Sequence, residues 1–434
     1  MNPSFSRRQF LKSSGASIAL FNIVPSHVLG QNAPSNKIVM GAIGVGSQGS
    51  GNMGQFLGMK DVHVRACCDV NKKRTDSFKA RVDKQYNNQD CLVYKDFREL
   101  LDRPDIDAVM VATPDHWHAA IECYAATRGK DIYGEKPFSH NLRDGRAVVE
   151  ALKANGRIFQ AGSWQRSTGN FRKAVELVRN GRIGKVKRIE IGLPNGGRGN
   201  APTPNAPIPE GLDWDFWVGP APFRPYQGVF DWNWRWVLDW GGGQMMDWIC
   251  HHCDIGLWAA GKDRIGPTTI TSGGMEFDDG KGIYDSPTSY RYTCTYEDGL
   301  ELVVANSSQL EKGMGARWIG ENGEWVWVTR GGQATSNPKI WDMQPEPGEF
   351  RLPNTSGHFR EFIDCVKSRV MTVTPAEISH RITSVGHLGQ VAMFTGRKLT
   401  WDYKTEQIIG DPIANAMLGR ESRAPWKLEG QLPA

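Results

Sequence analysis

The feature that most constrains this chain is a run of glycines at a fixed place. Gly44-Val45-Gly46-Ser47-Gln48-Gly49 follows the apolar run Lys37 to Ile43 and precedes a helical stretch, and the next apolar run, Val62 to Cys68, ends in Asp69. Glycines at this spacing let a strand turn tightly into a helix and let the backbone approach a ligand closely. The free N–H groups and dipole of that helix end favour a pyrophosphate, and the acidic residue after the second strand suits a ribose hydroxyl. A purely structural turn is the plain alternative, and the flanking strand and the acidic residue weigh against it.

Further apolar runs at Ala108 to Ala112 and Asp131 to Tyr133, with helical spacing at His118 to Arg128, continue the alternation and argue for a parallel sheet covered by helices. After about Gly162 the texture changes. Strand-like segments at Val186 to Leu193, Thr268 to Gly273, Ser289 to Tyr296, Leu300 to Ser307 and Glu324 to Thr329 suggest a largely antiparallel second domain. Asn195 to Pro209, rich in Gly, Pro and Asn, reads as a loop expected at the cleft mouth or in a subunit contact. His358 to Lys367 and Ala376 to Thr395 have helical spacing and are expected to pack back onto the first domain.

At 434 residues the chain has room for two domains, and a net charge of +5 without a long basic run gives nucleic-acid binding little support. The N-terminus reads Ser6-Arg7-Arg8-Gln9-Phe10-Leu11-Lys12 ahead of a modestly apolar stretch from Ser14 to Leu29, the layout of a twin-arginine export signal. The expected boundaries are a signal peptide over residues 1–30 with the mature chain starting near Gln31, a dinucleotide-binding domain over 37–162 and a substrate-binding and oligomerisation domain over 163–434. The expected location is the periplasm, reached through the twin-arginine machinery, which carries folded proteins with cofactor in place. The eight cysteines show no disulfide spacing, and Cys67 and Cys68 lie in an apolar run where free thiols act as small hydrophobes.

Two further segments carry chemistry. Thr113-Pro114-Asp115-His116-Trp117-His118 and Glu135-Lys136-Pro137 follow the fourth and fifth strands, where ligands bind in such sheets. Thr113, Pro114, His118, Glu135 and Lys136 therefore join Gly44, Gly46, Ser47, Gln48, Gly49 and Asp69 as expected cofactor contacts. Asp69 leans the choice toward NAD, whereas Lys72, Lys73 and Arg74 keep NADP open. A cleft lysine can have a lowered pKa, so Lys136 is a candidate to accept or share a hydroxyl proton; the alternative is a surface lysine paired with Glu135.

Gly241-Gly242-Gly243 leads into a segment whose helical form would put Asp247, His251, Asp254 and Trp258 on one stripe, with Asp247 orienting His251 for proton relay. Core histidines with satisfied hydrogen bonds are the alternative. Cys250, His251, His252 and Cys253 are adjacent, but consecutive helical residues diverge and cannot share one ion, so no metal site is expected. Trp214, Trp217, Trp232, Trp234, Trp236, Trp240, Trp248 and Trp258 crowd this region, where indole faces suit sugar rings and core packing accounts for the remainder. Gln165, Arg166, Trp234, Arg235 and His252 are the expected substrate contacts.

With these residues in hand, the chain resembles the glucose–fructose oxidoreductase and myo-inositol dehydrogenase family, Gfo/Idh/MocA, over nearly the whole mature length. The glycine loop, Glu135-Lys136-Pro137, and Asp247 with His251 and Asp254 carry the resemblance. It implies an α/β fold, with an N-terminal Rossmann domain and a C-terminal α/β domain whose open, mostly antiparallel sheet mediates homo-oligomer formation. It implies catalysis by Lys136, Asp247 and His251 on the CH–OH group of a sugar, glycoside or polyol, and the export signal with the glycine loop leads us to expect that the NAD is tightly bound. One departure is Ile249, where the family commonly has glycine, which puts the pocket shape in doubt. The family also contains NAD-dependent glycosidases such as α-N-acetylgalactosaminidases, which oxidise transiently and eliminate. A third reading is a sugar-binding protein without turnover, against which Lys136 and His251 both stand.

Overall fold

The computed structural model describes residues 36–197, 204–228, 231–278, 280–426 and 428, so the expected export signal lies outside the described residues. The elements below belong to one unit, Ile38–Ala434. Its first sheet has six strands: β1 (Ile38–Ile43), β2 (Val62–Cys68), β3 (Leu92–Tyr94), β4 (Ala108–Val111), β5 (Asp131–Gly134) and β6 (Phe159–Ala161). All neighbours are parallel, in the order β3-β2-β1-β4-β5-β6. Every residue of β4 and β5 is buried, as a strand covered by helices on both faces must be.

The strand order reverses between β1 and β4, which opens a crevice beyond their carboxyl ends. Three helices start there: α1 (Ser47–Leu57), α2 (Lys72–Tyr86) and, after a short helix α3 (Phe97–Leu101), α4 (Asp115–Thr127). A further helix, α5 (Leu142–Ala154), leads to β6, and α6 (Gly169–Arg179) follows it.

The second sheet has nine strands, where the sequence pattern offers five. In chain order they are β7 (Val186–Leu193), β8 (Thr269–Glu276), β9 (Ser289–Thr295), β10 (Glu301–Asn306), β11 (Gly315–Gly320), β12 (Trp325–Thr329), β13 (Gly332–Thr335), β14 (Leu399–Asp402) and β15 (Gln407–Ile408). The spatial order is β13-β12-β11-β7-β10-β9-β8-β14-β15, and only β7 and β10 pair in parallel. The strands missed by pattern have a physical reason to be missed. All but one residue of β11 is buried, so it shows no alternation, and β13 to β15 are four residues or shorter.

Against this sheet lies α8 (Gly243–Ala260), which follows the short α7 (Trp214–Val218) and buries nearly every side chain. The short α9 (Pro338–Asp342) precedes α10 (His358–Ser368), which packs Phe362 on Phe56 of α1 and on Tyr133 of β5. Finally α11 (Ala376–Thr395) is tied to α5 by Arg146 and Glu377 at 2.7 Å. Of the stretch Asn195–Pro209, Gly196 pairs with Thr288 and Ala206 with Tyr226, and its described residues do not line the cleft.

Candidate active site

One cleft of about 860 Å³, within the size range of ligand pockets, runs from the end of β2 to the start of α8. Its first half is the glycine loop. Gly44 has φ +78°, and a Cβ there would sit 2.6 Å from the Ala112 carbonyl oxygen. At Gly49 a Cβ would be 1.9 Å from the Gly44 carbonyl oxygen. Only glycine therefore fits at either place. Gly46 caps α1 without a side-chain hydrogen bond, so the first N–H groups of that helix are left for a ligand. Asp69 also lines the cleft, and its carboxylate accepts N–H bonds from Val45 (3.0 Å) and Asn71 (2.9 Å). Burial lifts the Asp69 pKa, with Arg74 and those two N–H groups working against the rise. Two accepted bonds leave carboxylate lone pairs for ribose hydroxyls. The loop, the uncapped helix end and the carboxylate thus fit a dinucleotide.

The second half of the cleft collects titratable groups from three segments. Lys136 follows β5, Asp115 opens α4, and Asp247 and His251 lie one turn apart on α8. Lys136 Nζ donates to Asp247 Oδ1 at 2.7 Å and to the Asp247 carbonyl at 3.0 Å. Arg235 Nε donates to the same Oδ1 at 3.1 Å. The sequence reading expects a lowered Lys136 pKa. Burial does push it down, but Asp247 and then Glu135 outweigh burial and hold it above the usual value. Asp247 moves the opposite way: burial would raise it, and Lys136 and Arg235 hold it below the usual carboxylate range. Lys136 is therefore an ammonium here, paired with an ionised carboxylate.

His251 is oriented by Gln165 rather than by Asp247, a second correction. Its Nδ1–H donates to Gln165 Oε1 at 2.9 Å, which leaves Nε2 as the ring's acceptor. Burial, and then the charge of Lys136, keep the imidazole neutral far below its usual pKa. Asp115 is also buried, and desolvation together with Asp247 pushes its carboxyl up to about 7. Glu135 accepts bonds from Asn52 (2.6 Å) and Gln48 (3.3 Å) across the floor of the cleft.

Not every expected contact reaches the cleft. Arg166 is 2% exposed, with its guanidinium on Asp254 (2.6 Å) and Asp263 (3.0 Å) and over the Trp258 ring. Arg166 and Asp254 thus form a structural ion pair, and Arg166 is not placed to meet a substrate. Gln165 is fully buried behind His251. His252 points to the Gly192 carbonyl (3.1 Å), away from its neighbour Cys250, whose Sγ meets Thr383 at 3.2 Å. His118 is held between the carbonyls of Pro137 (2.7 Å) and Thr113 (2.9 Å), so it braces the two loops without entering the cleft. Among the described residues there is no group of three or more His, Cys, Asp or Glu able to hold a metal.

The remaining assignments, Ser47, Thr113, Pro114, Trp234 and Arg235, all face the cleft. The tryptophans divide. Trp214, Trp217 and Trp240 pack on one another in a small core, from which Trp217 also reaches the cleft that Trp232, Trp234 and Trp248 line. Sequence reasoning missed Trp164, Gln244 and Arg330, which also line it. Arg330 comes from the turn between β12 and β13, with no local motif to announce it.

Comparison with known proteins bears on both halves. A family model described as the oxidoreductase family NAD-binding Rossmann fold (GFO_IDH_MocA) matches residues 38–163, and one for that family's C-terminal alpha/beta domain matches 193–428. The uncharacterised oxidoreductase YrbE of Bacillus subtilis is 24% identical over 330 residues, covering 75% of this chain and 81% of that protein. An α-N-acetylgalactosaminidase of Shewanella oneidensis is 30% identical over 168 residues, only 34% of this chain and 37% of that enzyme. Among solved structures, the aldose–aldose oxidoreductase of Caulobacter crescentus has the same fold, with a TM-score of 0.61 at 18% identity, covering 84% of this chain and 99% of that one.

Proposed function

The chain belongs to the Gfo/Idh/MocA oxidoreductase family, and on that footing we propose that it is an exported oxidoreductase acting on the CH–OH group of a sugar, glycoside or polyol with a tightly held NAD. The observation that carries the reading is the meeting, in one cleft with the glycine loop, of a charged Lys136 and a neutral His251. The loop and the start of α1 would hold the pyrophosphate, and Asp69 the ribose; the chemistry that a nicotinamide would supply there is hydride acceptance. Lys136 donates a hydrogen bond to the substrate oxygen and stabilises its negative charge. His251 Nε2 accepts the hydroxyl proton, and Asp247 keeps Lys136 charged and in place.

Tight retention has its own support. The segment before α8 is fastened across the nucleotide end of the cleft. Lys95 pairs with Asp213 at 2.8 Å, Lys72 N–H donates to the Gly211 carbonyl at 2.8 Å, Asp213 N–H to Val70 at 3.0 Å, and Arg74 pairs with Asp231. A dinucleotide bound here would be slowed in leaving by those links, which suits an exported enzyme far from the cytoplasmic pool. Export itself rests on the Arg7-Arg8 segment. A homo-oligomer through the open sheet follows from the family resemblance. NADP is the less favoured cofactor because Asp69 would face its additional phosphate.

A second reading, a redox-neutral glycosidase, is favoured by the partial α-N-acetylgalactosaminidase match. The test offers purified protein free sugars and aryl-glycosides while following nicotinamide absorbance and aryl release. Lasting reduction by a free sugar supports the oxidoreductase. Aryl release without lasting reduction replaces it with the glycosidase, and neither signal removes both.

A further inference from the structure

We infer that the substrate carries an anionic group, and that Arg330 receives it at the mouth of the cleft. The inference rests on the sugar-oxidoreductase reading and narrows its substrate class. Arg330 stands exposed in the turn between β12 and β13, with its guanidinium carbon 4.6 Å from the ring centroid of Trp164 and 4.5 Å from that of Trp248. All three residues line the cleft. Among the described residues, its guanidinium has no carboxylate or carbonyl partner within hydrogen-bond or ion-pair reach. Arg235, the other arginine at this end, is committed to Asp247.

Contact with indole rings fixes a guanidinium through its flat faces and leaves its in-plane N–H donors unspent. Those donors form a fork that matches the paired oxygens of a carboxylate, sulfate or phosphate. Two rings are thus spent on holding a cation ready in a cleft that supplies it with no anion.

The charge balance of this end points the same way. Lys136, Arg235 and Arg330 are three cations, and two carboxylates face them: Asp247, which Lys136 and Arg235 hold ionised, and Glu135, whose charge acts on Lys136 and on Arg330. Burial keeps Asp115 up at about 7 and raises Glu135 as well. Asp247 and Glu135 are the groups whose charge acts on Arg330, and both are already satisfied by nearer donors. A neutral sugar would leave an excess of positive charge in a partly desolvated site; an acidic one cancels it. Trp248 also meets the His251 ring edge-on at 5.2 Å, so an anion on Arg330 sits on the same wall as the proton acceptor.

The test titrates the holoenzyme with glucose, glucuronate, glucose 6-sulfate and glucose 6-phosphate. Binding is read from tryptophan fluorescence, and hydride transfer separately from nicotinamide absorbance. One anionic sugar should bind about 10- to 100-fold more tightly than glucose, and the preference should shrink as salt rises. The tightest member tells carboxylate from sulfate and phosphate. In Arg330→Gln the ratio of anionic to neutral affinity should fall toward one, and Arg330→Lys should restore part of it. Absence of a preference for any anion, or a preference untouched in Arg330→Gln, overturns the inference. Anionic sugars that bind through Arg330 but never reduce the nicotinamide leave it standing and count against the oxidoreductase reading. Neutral sugars oxidised without regard to Arg330 do the reverse.

Discussion

Replacing Asp247 by asparagine removes the charge that holds Lys136 protonated while keeping the shape of the side chain. In the native site burial pulls the Lys136 pKa down, and the 2.7 Å contact with Asp247 more than restores it. Leaving one partner of a buried pair uncompensated costs about 3–5 kcal/mol. At roughly 1.4 kcal/mol per pH unit, this is a fall of about 2–4 pH units. Arg235, which shares the same oxygen, loses its counter-charge too and adds repulsion. Lys136 in Asp247→Asn should therefore titrate well below its native midpoint, which the carboxylate holds above the usual lysine value. If the ammonium stabilises the substrate oxygen, kcat/KM for sugar-driven nicotinamide reduction gains a basic limb with that midpoint, and below it activity returns in part. The assay is a stopped-flow pH–rate profile of both proteins on one sugar. A basic limb at the same pH in both refutes the argument that Asp247 acts by setting the charge of Lys136.

Three other perturbations separate fold, cofactor and chemistry. Gly49→Ala drives a Cβ to 1.9 Å from the Gly44 carbonyl oxygen; it should cost about 1–3 kcal/mol in thermal unfolding and strip nucleotide from the purified protein as read by mass. Arg166→Met leaves Asp254 and Asp263 buried without their cation, so denaturant unfolding should show a loss of about 3–5 kcal/mol, while kcat per folded molecule stays within a few-fold. Asp115 has a folded pKa of about 7 against 3.8, so the folded protein holds its proton more tightly; that stability is complete below pH 3.8 and is lost as pH rises to about 7. Between pH 5 and 8, Asp115→Asn should therefore gain roughly 3 kcal/mol relative to the native protein, and parallel pH curves in urea titrations would refute this.

What the sequence revealed follows how local each constraint is. The glycine loop was legible because strand, turn and helix end are contiguous, and Gly44 and Gly49 each face backbone that admits no side chain. The helix Ala376–Thr395 and the strand Val62–Cys68 were legible because one element carries its own pattern. Pairings across the chain were not. Nothing near His251 announces that Gln165, 86 positions away, orients it, and nothing near Arg166 announces Asp254 and Asp263. A buried arginine and a cleft arginine look alike in sequence, so the pattern offers Arg166 as a substrate contact and passes over Arg330. The direction of the Lys136 shift is hidden in the sequence for the same reason, since burial alone lowers a lysine and the opposing carboxylate, Asp247, comes from a distant helix.

The most direct test of the account is to denature freshly purified native protein, without added nucleotide, and identify what is released by mass. Close to one NAD or NADH per chain is the predicted result. A protein that releases no nucleotide, and that binds neither NAD nor NADP when titrated, would contradict it.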